Sequence, residues 1–108
     1  MPTNGITAKN PNATYKVEGH ILNGSKENFK SQYISTTTDI NVAQKWAQKD
    51  GCRIIEIDLN QLPQGTKVID LSTDAGRAAN LKGVTSTNWA KASSEVLIEG
   101  YIPPEAIR

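Results

Sequence analysis

The 108 residues contain one cysteine, one histidine, one methionine and one phenylalanine. A lone thiol closes no intramolecular disulfide, and with one histidine it builds no Cys/His zinc site. No apolar run approaches the ~18 residues that would cross a bilayer. The start, Met1 to Gly5, lacks a basic stretch followed by an apolar one, so no signal peptide is expected. Neither sign of charge dominates: 12 Lys and Arg stand against 11 Asp and Glu, a formal net charge of +1. That balance excludes a strongly basic nucleic-acid-coating protein and an acidic solvating tail. The hydrophobic fraction, 37%, supplies one core in a chain of this length and not two.

What is present reads as one domain behind a polar arm. Residues 1–13 carry Pro2 and Pro11 among Asn and Thr and suggest a linker, with the folded domain over 14–108. Thr14 to Glu18 alternates polar and apolar, which predicts a short strand ending near Gly19-His20; Asn23-Gly24 is a turn signal. Gln32 to Thr37 is aromatic and β-branched and predicts a second strand. Thr38 or Asp39 then caps a helix whose inner face holds Ile40, Ala43, Trp46 and Ala47, with Gly51 as its stop. Arg53–Leu59, Lys67–Leu71 and Glu95–Glu99 predict three more strands, with short helices around Asp74–Lys82 and Asn88–Ala92. The expected fold is α+β: a mostly antiparallel sheet of about five short strands with two or three short helices. Its expected core is Val17, Ile34, Ala43, Trp46, Ile55, Ile57, Val68, Ile69, Val96 and Ile98.

Few residues can carry chemistry. His20 is the only imidazole, the one side chain that titrates near neutral pH without a perturbing site. Ser35, Thr36, Thr37 and Thr38 form a row of hydroxyls. On a strand, Ser35 and Thr37 share one face and Thr36 and Thr38 the other, so one pair can line a cleft. Glu95 opens an otherwise apolar strand; there it is a solvated strand end or, if buried, a carboxyl with a raised pKa suited to acid–base work. Tyr15, Tyr33 and Trp89 are aromatic platforms, and Lys16 and Lys26 are cations able to meet a phosphate near His20 or Glu95.

From Gln32 to Ile107, the run Gln32-Tyr33-Ile34-Ser35-Thr36-Thr37, then Ala43 and Trp46-Ala47, then Ile54 to Asp58, then Glu95-Val96-Leu97-Ile98, then Ile102-Pro103, resembles ADP-ribosyltransferase-like domains. That resemblance implies an NAD site ordered by Ser35, with Glu95 binding the ribose and stabilising an oxocarbenium-like transition state. Where the arginine-type transferases carry an aromatic–arginine pair, this chain has Tyr15-Lys16, and no arginine precedes Arg53. Lysine does not reproduce a bidentate guanidinium fork.

Gly19-His20-Ile21-Leu22-Asn23-Gly24 resembles segments of the C-terminal toxin domains of bacterial contact-dependent growth inhibition proteins, many of them tRNA nucleases. That resemblance implies a metal-independent ribonuclease with no cofactor. His20 and Glu95 would be its acid–base groups, and Ser35 and Thr37 would hold the scissile phosphate. Tyr15, Lys16, Lys26, Tyr33, Thr36 and Trp89 would contact the substrate. It further implies export within a larger protein, action in the target-cell cytoplasm, a cognate immunity protein, a tRNA substrate and an elongation factor as a further partner. The first expectation is thus a tRNA-cleaving toxin domain. The second is an NAD-dependent ADP-ribosyltransferase or NAD glycohydrolase, and the third is a non-catalytic binding module.

Overall fold

The β-branched run after Gln32 forms a strand, β2, at Tyr33–Thr37. It belongs to a computed structural model that describes residues 5–23, 30–50 and 54–107. Three further expected segments are in place: helix α2 at Ile40–Asp50, strand β3 at Val68–Asp70 and strand β4 at Glu95–Glu99. Asp39 caps α2 as expected, its carboxylate accepting from the Asn41 N–H at 2.9 Å. The Gly51 stop lies outside the described residues.

β4 is the central strand, with β2 on one side and β3 on the other, both antiparallel. The β2 register places Thr37 opposite Glu95 and Ser35 opposite Leu97. Side chains alternate across the sheet, so Tyr33, Ser35, Thr37, Glu95 and Leu97 share one face and Ile34, Thr36, Val96 and Ile98 the other. Each face has its own core. Tyr33 and Leu97 pack with Val17, Ile69, Leu71 and Ala90. Ile98 packs with Ile102, Ala106 and Ile107, and Ile6, Ile34, Ile55 and Ile57 close over them.

Four expectations change. Thr14–Glu18 is not a strand: residues 17–23 form a helix, α1, at Val17–Asn23. Val17 and Ile21, four apart, turn to the first core and override the alternation. Arg53–Leu59 is not a central strand, since among its described residues only Ile57 makes a bridge, to Ile107. The segment is apolar because Ile55 and Ile57 pack on the second core, not because it joins a ladder. Part of the expected arm is folded: Ile6–Thr7 is a strand, β1, paired with β5 at Tyr101–Ile102. The strands therefore form a three-stranded and a two-stranded sheet, not one sheet of five. Gly100, with φ +89°, turns the chain from β4 into β5, a backbone shape that favours glycine.

The remaining helices are α3, Asp74–Asn80, and α4, Val84–Ser93. Gly76 lets α3 start against β3, because a Cβ there would sit 1.8 Å from the Asp70 carbonyl oxygen. The N-terminus of α4 is capped from a distance. The Glu18 carboxylate accepts from Gly83 N–H at 2.5 Å, Ser86 Oγ at 2.7 Å and Lys82 N–H at 3.3 Å, tying α1 to α4. Among the described residues no helix is long and apolar enough to cross a membrane.

Candidate functional site

His20 comes from α1, Ser35 from β2 and Glu95 from the first position of β4. Antiparallel pairing sets Ser35 diagonally across from Glu95 on the same face. The packing of α1 brings His20 over them, with Nε2 at 2.7 Å from the Ser35 hydroxyl. That hydroxyl also hydrogen-bonds the Glu95 carboxyl. His20 and Glu95, 75 positions apart in sequence, therefore meet through a single oxygen. His20 is 6% exposed and Glu95 8%. Ser35 is exposed, so solvent reaches the pair through it.

Burial sets the protonation of both partners. It pulls the His20 imidazole down to about 4, and the Lys9 ammonium adds to the fall, so the ring is neutral at pH 7. Burial pushes the Glu95 carboxyl up, and the Ser35 hydrogen bond works against that by favouring the anion. Tyr33 meets the imidazole edge-on, with ring centroids 5.6 Å apart, and holds its plane. The other ring nitrogen, Nδ1, lies 2.5 Å from the hydroxyl of Ser31, a residue only 3% exposed.

The rest of the hydroxyl row is differently employed. The Thr36 hydroxyl donates to the Val96 carbonyl at 2.6 Å. The Thr37 hydroxyl donates to the Ser93 carbonyl at 2.5 Å and accepts from the Asp39 N–H. Both stitch β2 to neighbouring backbone, and both also border cavities. Tyr33 is buried in the first core and also walls the cavity beside His20. Tyr15 is exposed but its backbone is clamped by the Gln32 side chain, which donates to the Tyr15 carbonyl at 2.7 Å and accepts from its N–H at 3.2 Å. Lys16 is exposed on the lead into α1, and Trp89 is exposed on α4. Neither lines a cavity that contains His20 or Ser35. Lys26 lies outside the described residues.

Two cavities meet at Ser35. One, of about 240 Å³, is bounded by Thr7, Lys9, His20, Ser31 and Tyr33. The other, of about 250 Å³, is bounded by Thr37, Ala43, Trp46, Ala47 and Ile55. Ile6, Ile34 and Ser35 belong to both. Strand β2 is an edge strand in its sheet, and among the described residues no strand pairs with its outer side, which borders this double cavity. A larger cavity, about 620 Å³, runs past Thr36, Asp39, Ile40, Glu56 and Leu59 and includes none of His20, Ser35 and Glu95. Sequence reasoning missed three residues here. Ser31 and Lys9 carry no local signature, and Trp46, assigned to the core by helical spacing, is half-buried as a cavity wall. Among the described residues no group of three or more His, Cys, Asp or Glu is placed to hold a metal ion.

Residues 3–108 match the family described as a domain of unknown function (DUF7587), and the chain belongs to that family. No curated protein and no solved structure matches it.

Proposed function

We propose that this DUF7587 domain cleaves the bond between nicotinamide and ribose in NAD and passes the ADP-ribosyl group to an acceptor hydroxyl, water included. One observation carries the reading: the exposed Ser35 hydroxyl interacts with the buried Glu95 carboxyl, diagonal to it on the same sheet face. When the glycosidic bond breaks, nicotinamide leaves with the electron pair and positive charge develops on the ribose. A carboxylate in a site shielded from water stabilises that charge far more than it would in solution. The same carboxylate accepts the proton of the attacking hydroxyl. The neutral imidazole of His20 adds no opposing positive charge. The paired cavities joined at Ser35 suit a two-lobed substrate, with Trp46 and the free edge of β2 available to a flat amide-bearing ring.

The ribonuclease reading draws on one observation, the joining of His20 and Glu95 through one hydroxyl, which is within reach of an acid–base pair. It ranks second because its transition state is anionic. Of the described cations, Lys9 is the one that lines the His20 cavity, and an imidazole held near pKa 4 has no proton to donate at pH 7. Either activity is compatible with a toxin delivered into a target cell. A cognate immunity protein would then cover Ser35.

The test is nicotinamide release from NAD by the purified chain, beside Ser35→Ala and Glu95→Gln variants, with bacterial tRNA in parallel reactions. Release that falls at least 100-fold in Glu95→Gln is expected. Intact NAD together with tRNA cleavage that depends on His20 would overturn the reading in favour of the nuclease.

A further inference from the structure

We infer that Ser31 is a positioning residue: its hydroxyl fixes which nitrogen of His20 carries hydrogen and so turns the Ser35 proton toward Glu95. The inference rests on the reading of Ser35 and Glu95 given above.

The argument is an accounting of protons. A serine hydroxyl has one proton to donate, and a neutral imidazole has one N–H and one bare nitrogen. Ser31 Oγ accepts from the Tyr33 backbone N–H at 3.3 Å. Its own proton then goes to Nδ1 of His20, 2.5 Å away. With Nδ1 accepting, Nε2 carries the hydrogen and donates to Ser35 Oγ at 2.7 Å. The Ser35 proton is thereby free for the Glu95 carboxylate, the interaction that favours the anion. Every donor and acceptor along this line is used once, and all bonds run in one direction, each polarising the next.

The opposite direction is poorer at both ends. Ser31 Oγ would accept from both Tyr33 N–H and Nδ1–H, and no acceptor for its own proton is found among the described residues. At the other end, Ser35 would donate to Nε2 and leave an ionised Glu95 without its hydroxyl donor. Ser31 is also well anchored, since its carbonyl accepts from the Asn10 N–H at 3.1 Å. Ser31 borders the same cavity as His20, but its hydroxyl is engaged by Nδ1 of His20 and the Tyr33 N–H, so its effect passes through the imidazole.

The chain has one histidine, so its ring nitrogens give one unambiguous NMR pattern. In long-range proton–nitrogen spectra of the ¹⁵N-labelled full chain near pH 7, the expected result is a hydrogen on Nε2 and a bare Nδ1. Ser31→Ala is expected to mix the two tautomers, and Ser31→Thr, which keeps the hydroxyl, to restore the single form. With NAD as the probe, Ser31→Ala lowers kcat roughly tenfold and leaves KM within about twofold. A hydrogen on Nδ1 in the wild type, or an unchanged tautomer in folded Ser31→Ala, would overturn the inference. If Ser31→Ala does not fold, the wild-type and Ser31→Thr spectra still decide it. Should the tautomer behave as expected while NAD stays intact, the positioning role stands and the NAD reading falls.

Discussion

Glu18 and Glu95 are each bonded to a serine hydroxyl, Ser86 for one and Ser35 for the other, yet their pKa values move in opposite directions. The Ser86 hydroxyl, then the Gly83 N–H, holds the Glu18 carboxyl below the usual carboxylate range, and Glu18 is only partly buried. Glu95 has Ser35 and is buried, and burial outweighs the single donor. The same pair of groups thus makes a joint in one place and a reactive centre in the other. The number of donors and the access of water decide between them. At the α1–α4 joint the negative charge is fully compensated by the helix end. At the β2–β4 face it is under-compensated, and the deficit is available to a substrate that develops positive charge.

The largest expected effect comes from removing the charge at the reactive centre. Glu95→Gln should lower NAD turnover by roughly 10²–10⁴-fold while leaving the chain folded and no less stable, because an uncharged amide is easier to bury. Turnover within a few-fold of wild type would erase the contrast between the two glutamates.

Next comes acid. His20 has a folded value of about 4 against an ordinary 6.5, so the fold binds the neutral ring. Its contribution is fully present above pH 6.5 and is lost as pH falls toward 4, on the order of 3 kcal/mol in all. Glu95 runs the other way: its raised value makes its contribution complete below 4.5 and lost as pH rises through the folded value. The clean measurement is therefore the difference in unfolding free energy between wild type and His20→Gln across pH 4 to 7. A flat difference would mean that the imidazole is not held neutral.

Glu18→Ala tests the joint, with an expected fall in Tm of roughly 5 °C and turnover per folded molecule nearly unchanged. Because its pKa is lowered, the Glu18 contribution is present above 4.5 and lost as pH falls below it, so the Tm gap should narrow in acid. The smallest effect is at Ser94, which links α4 to Glu95 with φ 45° and is the one described non-glycine residue in the left-handed region. Ser94→Gly should raise stability by up to about 1 kcal/mol in denaturant unfolding.

The strands that hold the site were legible because their sequences say little else. Tyr33–Thr37 is mostly aromatic and β-branched and Glu95–Glu99 has an apolar centre at Val96, Leu97 and Ile98, and their face assignment follows from alternation. Ser35 and Glu95 lie on those strands, and their shared face is a consequence of register. α1 was misread because Gly19 and the alternation around it argued against a helix, while the opposing signal, Val17 with His20 and Ile21, amounts to a single turn. Arg53–Leu59 failed for a different reason: hydrophobicity reports burial, and burial against the second core needs no ladder. Ser31 was beyond reach. A buried serine looks like any loop serine until the helix that carries His20 folds back on it. For Thr36 and Thr37 sequence does not separate bonding a nearby carbonyl from lining a cleft, and in the fold each does both.

Gly100 joins three stretches that are far apart in the chain. Its N–H reaches the Gln32 carbonyl at 2.7 Å, and its carbonyl receives the Ala8 N–H at 2.8 Å. Residues 5–9 have nowhere to dock until β4, β5 and the residues before β2 are already assembled, which makes that segment a late arrival in folding and an early departure in unfolding. It is also the segment that supplies Ile6, Thr7 and Lys9 to the wall around His20. A partly folded chain can have its three-stranded sheet and first core in order and still lack this wall of the cavity and the Ile6 cover of the second core. Competence is then conferred by the last few residues to settle, and slow hydrogen exchange at the Ala8 amide would mark the moment it is complete.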